Sequence, residues 1–323
     1  MKKPKLSLFF PINDYVFHPL KERLDRDYIT EYNIISPDSN LIVNYAWAAI
    51  ERKLPKNIPK ISIFLDVPYW RICDPSRRQF WLDYIKQLKE MNKVLSISNT
   101  ARNQLLDNFG IDSTVFYLGI NSLDTNLRNL EVKKEPKILY IGNLIKPKRP
   151  EIILEALFYL GMKYKIKDFP QVIFVSRKES TDGDLLRFCY ETADRLGINF
   201  IHKEIDIFND PEKVREIKSA TVLVDSSYAG GFGFPGVESI CFGTIPLLYD
   251  LQCFREICGE FPYPIFWKSF KELGELIYKI FFSNEIKIQD EDFKKYGDMF
   301  QSKYNPNVSY QNLKNYIEGL LNE

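Results

Sequence analysis

A glycine-rich loop between a predicted strand and a predicted helix could bind a phosphate group. The apolar run 221–225 leads into Tyr228-Ala-Gly-Gly-Phe-Gly-Phe-Pro-Gly-Val-Glu238. Glycine allows the backbone to approach a ligand closely, and a helix start offers unpaired N–H groups with a partial positive charge. The residues that would present these groups are Gly231, Phe232, Gly233 and Phe234. Glu238, in the first helical turn, could accept hydrogen bonds from sugar hydroxyls.

A second loop, residues 142–150, carries three cations, Lys146, Lys148 and Arg149. It lies between the strand-like run 138–142 and a helical pattern over 150–160. Cations at the carboxyl end of a strand could neutralise a diphosphate. A solvated basic turn is the alternative interpretation of such a cluster taken alone.

The glycine-rich loop also matches a dinucleotide-binding pattern. Gly231-Phe-Gly-Phe-Pro-Gly236 is G-x-G-x-x-G, and Asp250 follows at the end of a predicted strand, where it could hold a ribose. That pattern begins directly at the end of a strand, usually the first of its domain. Here residues 226–230 intervene and other predicted strands come first. A packing turn that binds no ligand is a further alternative.

The elements that would position these loops alternate along the chain. Short apolar runs predict strands at 6–10, 61–66, 94–98, 115–120, 138–142, 172–176, 199–202, 221–225 and 246–250. Such continuous runs are typical of parallel strands covered on both faces. Helical spacing predicts helices between them, including 41–54, 99–109, 183–196 and 210–219. The alternation predicts an α/β protein with right-handed crossovers.

A polar and charged stretch at 121–136 predicts a domain boundary, and 323 residues are enough for two domains. We predict two Rossmann-like domains, residues 1–128 and 129–304, facing a cleft. The final helical segment, 305–323, could pack back on the first domain. Ligands of parallel sheets bind outside the carboxyl ends of the strands.

Composition excludes several classes of protein. The net charge of +1 argues against electrostatic binding of nucleic acid. Five cysteines without a Cys-x-x-Cys pair, and two distant histidines, argue against a metal centre. The apolar run before Pro11 is too short for a signal sequence or a membrane span. We therefore expect a cytoplasmic protein, with any membrane contact peripheral and local.

In their order and spacing, the two loops resemble the retaining glycosyltransferases of family 4, the group 1 glycosyl transferases with the GT-B fold. That family has Gly-Arg-Leu-x-x-x-Lys-Gly after the first strand of its second domain, where this chain has Gly142-Asn-Leu and then Lys148-Arg149. The family later has Glu-Gly-Phe-Gly-Leu-Pro-x-x-Glu, which this chain matches from Gly230 to Glu238. The resemblance covers residues 94–260, about half the chain.

The resemblance implies transfer of a sugar from a nucleotide-diphosphate-sugar donor to a hydroxyl acceptor, with retention and without a metal or other cofactor. Lys148 and Arg149 would stabilise the leaving diphosphate, Asn143 would join the glycine-rich loop in binding the donor, and Glu238 would hold the nucleotide ribose. Asp66 ends a strand-like run beside aromatic residues at 67–70 and could orient the acceptor hydroxyl, although a cap or turn role is the alternative. The acceptor could be a glycan, a lipid-linked sugar, a protein or a small molecule.

Three departures from the family pattern keep alternatives open. Gly230 stands where the family has its first glutamate, Asn143 where it has an arginine, and Leu65 where many members have a histidine before the aspartate. Arg149 or Lys146 could replace the lost phosphate cation. One alternative is a nucleotide-sugar-binding subunit with weak or no activity. The other is a dinucleotide-dependent oxidoreductase.

Overall fold

Two six-stranded parallel sheets, each with its own helices, form the frame of the protein. The computed structural model describes residues 3–10, 18–45, 48–50, 52–66, 78–124, 126–177, 180–206 and 210–323. Contacts divide the chain into a first unit, Met1–Asp124 with Tyr304–Glu323, and a second unit, Thr125–Lys303.

The sheet of the first unit has the order β2-β1-β3-β4-β5-β6. Its strands are β1 (Lys5–Phe9), β2 (Ile29–Tyr32), β3 (Leu41–Tyr45), β4 (Lys60–Phe64), β5 (Lys93–Ser96) and β6 (Thr114–Val115). Its first helices are α1 (His18–Asp27), α2 (Arg78–Leu88) and α3 (Asn99–Phe109). Every residue of β3 and β4 is buried, as expected for central strands covered on both faces.

The sheet of the second unit has the order β12-β11-β10-β7-β8-β9. Its strands are β7 (Glu135–Ile141), β8 (Gln171–Ser176), β9 (Phe200–Glu204), β10 (Ala220–Asp225), β11 (Ile245–Tyr249) and β12 (Phe266–Trp267). Its helices are α4 (Ile152–Tyr164), α5 (Gly183–Leu196), α6 (Asp210–Ser219), α7 (Phe234–Cys241), α8 (Gln252–Cys258), α9 (Phe270–Phe281) and α10 (Asp290–Lys303).

The last helix, α11 (Pro306–Leu321), packs in the first unit. Tyr310 Oη and Lys314 Nζ donate to Asp27 Oδ2 at 2.7 and 2.8 Å, which ties α11 to the end of α1. Hydrogen bonds from Lys314 and Tyr310 hold the pKa of Asp27 below its usual range. A Cβ on Gly119 would lie 2.4 Å from Pro306 Cα. The start of α11 therefore packs so closely against residue 119 that only glycine fits there.

The helix predicted over 41–54 is wrong at its start, because Leu41–Tyr45 forms the central strand β3. A short apolar run satisfies both a buried strand and one face of a helix, so its spacing alone could not decide. The β-branched Ile42 and Val43 favour the strand. The predicted strand 115–120 is also shorter than expected, since β6 ends at Val115.

The predicted helices 99–109, 183–196 and 210–219 are confirmed to the residue. Ser98 accepts a hydrogen bond from the Ala101 N–H at the start of α3, and Gly110 ends that helix with φ +64°. Asp182 and Gly197 do the same for α5. None of the helices in the described part of the chain combines the length and apolar content that crossing a membrane requires.

Candidate functional site

The direction of chain progression through the second sheet reverses between β7 and β10. The chain runs outward from β7 through β8 to β9, then returns to β10 beside β7 and continues to β12 on the other side. The loops that follow the neighbouring strands β7 and β10 therefore lead to opposite faces of the sheet. A crevice opens between them at the carboxyl ends of the two strands, and open α/β sheets bind their ligands in such a crevice. The two loops singled out in the sequence, 142–150 and 226–233, are these loops.

Hydrogen bonds join the two loops directly. Ser226 Oγ donates to the Lys148 carbonyl at 2.6 Å, and the Tyr228 N–H donates to the Pro147 carbonyl at 3.2 Å. Ser226 is fully buried, so its hydroxyl has no competing water. The backbone of Lys148 is thus held by the loop that carries the glycines.

The other side of the basic loop is held by residues 180–182, which follow β8. The Leu144 N–H donates to the Ser180 carbonyl at 2.9 Å, and the Asp182 N–H donates to the Leu144 carbonyl at 2.8 Å. The basic loop is therefore fixed from both sides, and its position does not depend on a ligand.

A histidine–serine pair contacts the segment 180–182 that holds the basic loop. His202 Nε2 lies 2.8 Å from Ser176 Oγ, which lies 2.9 Å from Thr181 Oγ1, and Thr181 donates to the Arg177 carbonyl at 3.0 Å. A carbonyl only accepts, so Thr181 accepts from Ser176, and Ser176 accepts from His202. His202 is therefore a donor in this chain and is not placed to activate Ser176 as a nucleophile. Burial lowers the pKa of His202.

The three cations of the basic loop have no carboxylate partner among the residues that the structure describes. Lys146–Lys148 forms a 3₁₀ turn, and Arg149 follows with left-handed backbone angles, φ 46° and ψ 47°. The Arg149 guanidinium lies 5.0 Å from the centroid of the Tyr249 ring. Within the described ranges, no carboxylate lies within 4.0 Å of Lys146, Lys148 or Arg149. The positive charge of this loop is available to an anion.

Asn143 lies exposed at the start of the same loop. Its carbonyl accepts a hydrogen bond from Tyr140 Oη at 2.8 Å. A Cβ on Gly142 would lie 3.0 Å from that same hydroxyl, so the tyrosine leaves room for little more than glycine. Burial raises the pKa of Tyr140 well above its usual value, which keeps the hydroxyl a donor.

The glycine-rich loop ends in a helix start that the protein leaves uncapped. Gly233 precedes α7 with φ +101°, and no side chain caps the helix. Nothing in the described part of the chain accepts a hydrogen bond from the N–H groups of Gly231, Gly233 or Phe234. The start of α7 and the basic loop both lie at the carboxyl edge of the second sheet, so these donors and the positive end of the helix dipole lie on the same side of the sheet as the three cations.

Helix α8 supports the glycine-rich loop from behind. A Cβ on Gly233 would lie 2.6 Å from the ring of Phe254, which is 2% exposed. Cys253 Sγ donates to the Gly230 carbonyl at 3.1 Å. Phe232 is buried and stacks on Phe234 with ring centroids 4.9 Å apart. The loop is thus a packed turn with one glycine that cannot be replaced without moving an aromatic ring.

Glu238 points into the second unit. Its carboxylate forms an ion pair with Lys213 Nζ at 2.6 Å, and the two side chains are 4% and 6% exposed. Sequence spacing predicted neither this partner nor the burial, because Lys213 comes from α6 and meets α7 only in the folded unit. A hydroxyl that contacts Glu238 would have to share the carboxylate with this ammonium group.

Asp250, the acidic residue of the dinucleotide interpretation, is also paired. Arg255 bonds both of its carboxylate oxygens, and Lys268 Nζ lies 3.5 Å from one of them. The Arg255 hydrogen bond holds the pKa of Asp250 below its usual value. The glycine-rich loop follows β10, the fourth strand of the second sheet, and not its first strand. Both observations argue against a dinucleotide site.

Asp66 lies in the first unit, two residues after β4 and thus at a carboxyl end of that sheet. It is half-buried, and the aromatic residues at 67–70 lie outside the described residues. Burial raises the pKa of Tyr84 above its usual value, and the charge of Asp66 adds to this effect. Asp66 therefore belongs to the first unit, whereas the basic loop and the glycine-rich loop belong to the second, and its role toward an acceptor stays a prediction.

No cation-binding cluster is found in the ranges that the structure describes, where no three carboxylate, histidine or cysteine side chains gather. The free cysteines Cys189, Cys241, Cys253 and Cys258 are all buried. Burial raises the pKa of the Cys189, Cys241 and Cys258 thiols. These thiols are therefore poor nucleophiles at neutral pH.

Several solved structures share this fold. Sucrose-phosphate synthase from Thermosynechococcus elongatus aligns with a TM-score of 0.77 at 13% identity, over 98% of this chain and 99% of that one. Anabaena HepE in complex with UDP aligns with a TM-score of 0.70 at 12% identity, over 99% and 100%. Trehalose-6-phosphate synthase from Burkholderia multivorans aligns with a TM-score of 0.64 at 8% identity, over 95% and 75%.

These similarities define the class of fold. The chain has the α/β fold with two parallel sheets that is known as GT-B, and the predicted fold class is confirmed. No family model matches the sequence, and no curated protein sequence matches it.

Proposed function

We propose that this protein transfers a glycosyl group from a nucleotide-diphosphate-sugar to a hydroxyl acceptor. One observation carries this proposal. Three cations without a carboxylate partner in the described chain, and a helix start without a side-chain cap, lie in the two loops that flank the crevice between β7 and β10. Together they form a seat for a group with several negative charges. The fold adds support, because proteins that share it include one solved with UDP and glucose.

The chemistry follows from where charge develops. Breaking the bond between sugar and phosphate leaves negative charge on the departing diphosphate. Lys148, Arg149 and the N–H groups of the glycine-rich loop would stabilise that charge. The backbone that carries them is held by hydrogen bonds within the second unit, so the loops need little reorganisation. Preorganised stabilisation of this kind is usually the largest catalytic contribution. It requires no metal ion.

Retention is proposed to proceed by attack from the face that the leaving group vacates. Three carboxylates near the carboxyl edge of the second sheet have partners within the described residues. Glu238 pairs with Lys213, Asp250 pairs with Arg255, and Asp225 accepts from Ser227. None of them is free to act as a nucleophile, so the departing phosphate would take the proton of the acceptor. The similarity in motifs to family 4 also favours retention.

Gly230 is the position at which donor recognition could differ from that family. A Cβ there would meet nothing closer than the Phe254 ring at 4.0 Å, and its φ is not positive. Position 230 therefore accepts a Cβ, and the Gly230→Glu substitution restores the carboxylate of the family pattern. A changed preference among donor sugars is the expected result, and an unchanged donor profile would show that position 230 does not read the sugar.

A subunit that binds the nucleotide-sugar without transferring the sugar is the second candidate. The observation that favours it is that Gly230 supplies no carboxylate at the position where the family pattern has its first glutamate. Slow hydrolysis of a bound donor distinguishes the enzyme from the binding subunit. An enzyme of this class transfers the sugar slowly to water and releases the nucleoside diphosphate, whereas a binding subunit does not.

The decisive test is a thermal-shift and calorimetry panel of UDP-, GDP- and ADP-sugars, with NADH as a comparison ligand. A ligand that binds only the native state raises its stability. We expect a nucleotide-sugar and its nucleoside diphosphate to raise the thermal midpoint, and NADH to leave it unchanged. A response to NADH alone would overturn the proposed function.

A further inference from the structure

The amino edge of the second sheet holds a lysine amine that has no carboxylate partner. Lys134 lies directly before β7, and its Nζ donates to the Ala220 carbonyl at 2.7 Å and to Thr244 Oγ1 at 2.8 Å. Neither acceptor is charged, and no carboxylate of the described chain lies within 4.0 Å of this nitrogen. This edge of the sheet is opposite to the one that carries the basic loop and the glycine-rich loop.

The hydrogen-bond acceptors around Lys134 Nζ match a neutral amine. A lysine ammonium has three N–H donors, whereas the neutral amine has two N–H groups and a lone pair. The Thr244 hydroxyl gives its own hydrogen to the Ile217 carbonyl, so it accepts from Lys134. The Ala220 carbonyl can only accept. These two bonds satisfy both hydrogens of the amine, and the third hydrogen of an ammonium would find no acceptor in the described chain.

The charges around Lys134 favour the same neutral state. Burial lowers the pKa of Lys134 to about 7, and the positive charges of Lys218 and Lys137 add to this effect, while the charge of Asp290 opposes it. Lys137 has a carboxylate of its own, since its Nζ lies 3.2 Å from Glu216. A substantial share of Lys134 is therefore an uncharged nucleophilic amine at neutral pH.

Lys218, the cation that most lowers the pKa of Lys134, also lacks an ion pair. It lies near the end of α6, and its Nζ donates to the Arg128 carbonyl. No carboxylate of the described chain lies within 4.0 Å of it. An anion formed on Lys134 would therefore lie near a positive charge that still has no partner. Lys134 itself is exposed, so a small reagent can reach it.

We propose that Lys134 is a binding site for carbon dioxide, which it holds as a carbamate. The lone pair of the amine attacks the carbon, one C–O double bond opens onto oxygen, and the nitrogen releases one proton to water. The nitrogen keeps one hydrogen for one of its two acceptors, and the new carboxylate supplies the negative charge that Lys218 lacks. Other acylating reagents would leave an uncharged amide there, so the surroundings favour carbon dioxide. This inference goes beyond the proposed function and does not rest on it.

The experiment supplies isotope-labelled bicarbonate, in equilibrium with carbon dioxide, to the full chain at neutral pH. A trialkyloxonium salt converts carbamates to stable esters, which mass spectrometry assigns to single lysines. We expect a trapped ester on Lys134 of the parent. The signal should be lost in Lys134→Arg, which keeps the charge but offers no neutral amine. The matched control Lys133→Arg changes the exposed neighbouring lysine and should leave the signal unchanged.

The Lys218→Met variant tests the surroundings of the amine. It removes the cation that would pair with the carbamate, so the trapped fraction at Lys134 should fall ~3–10-fold, as for a shift of about one pKa unit or less. The proposal is overturned if no ester forms on Lys134, if Lys133 is trapped to the same extent, or if Lys218→Met leaves the fraction unchanged.

Competitive acetylation with limiting acetic anhydride tests the state of the amine by itself. The reactivity of Lys134 should reach half of its limiting value near pH 7. A midpoint near ~10.4, the usual value for lysine, would also overturn the proposal, because carbon dioxide reacts only with the neutral amine.

Discussion

At the scale of single residues, the charged side chains of the site differ in whether a side chain of the opposite charge lies beside them in the described chain. Lys148 and Glu238 show the contrast. From the sequence, Lys148 was assigned to the leaving diphosphate and Glu238 to binding of the donor. The ammonium of Lys148 has no carboxylate within 4.0 Å in the described chain, whereas the carboxylate of Glu238 is buried against Lys213. Their substitution should therefore have different consequences.

The Lys148→Ala substitution should lower kcat by roughly 10²–10³, the cost typical of removing one preorganised charge-stabilising donor. The free energy of unfolding should change by less than about 0.5 kcal/mol, as for a surface substitution. This follows because only the backbone carbonyl of Lys148 is bonded to Ser226. Steady-state kinetics and urea unfolding measure the two effects. Equal kcat in variant and parent would remove Lys148 from the proposed mechanism.

The Glu238→Gln substitution should destabilise the protein by about 3–5 kcal/mol, because it removes the carboxylate charge that lies 2.6 Å from the buried Lys213 ammonium. Adding Lys213→Met should restore most of that stability. The double variant then reports on the ribose separately from folding. If the double variant binds the nucleoside diphosphate as tightly as the parent, Glu238 does not hold the ribose.

At the scale of elements, the glycine-rich loop is defined by what packs behind it as well as by what it could bind. Two of its glycines, Gly230 and Gly233, differ in their surroundings. Gly233 has a positive φ and abuts Phe254, while Gly230 has an ordinary φ and open space. The sequence shows the same residue at both positions, and only the neighbouring helix α8 distinguishes them.

Gly233→Ala should destabilise the second unit by about 2–5 kcal/mol, the sum of left-handed strain and overpacking. Gly230→Ala should change the free energy of unfolding by less than about 0.5 kcal/mol. Urea unfolding of both variants measures the difference. Similar values for the two would show that Phe254 moves freely and does not support the loop.

Sequence patterns located elements well where capping residues were present. Gly110 and Gly197 mark the ends of α3 and α5, and both helices were predicted to the residue. The run from Leu41 was assigned to a helix because its apolar spacing suits either structure, and burial between β1 and β4 decided for a strand. Strand β2 is short and partly polar, so it carries too weak a pattern to be recognised.

At the scale of the whole molecule, the last helix belongs to the first unit although it follows the second in sequence. Tyr310 and Lys314 of α11 both donate to Asp27 of α1. Since these bonds lower the pKa of Asp27 in the folded state, they stabilise the fold above the pKa of the unfolded chain, about 3.9. The stabilisation is lost as the pH falls from there through the folded pKa.

Asp27→Asn should therefore lower the free energy of unfolding by about 1–2 kcal/mol at pH 7. The difference between variant and parent should shrink as the pH falls below about 4. Thermal or urea unfolding at pH 7 and at pH 3 measures this change. A difference that is the same at both values would mean that Asp27 contributes packing and not charge.

The sequence by itself determined the alternation of strands and helices, the two chemically active loops and the resemblance that links them, because these depend on local spacing and residue type. Only the tertiary structure decided that the loops are joined through Ser226, that Arg149 reaches Tyr249 and that Glu238 pairs with Lys213. Each of these contacts joins residues far apart in the chain. The first two form because the reversal of strand order places β10 beside β7, and the third forms because α6 and α7, on either side of β10 in sequence, meet in the folded unit. No local pattern specifies either arrangement.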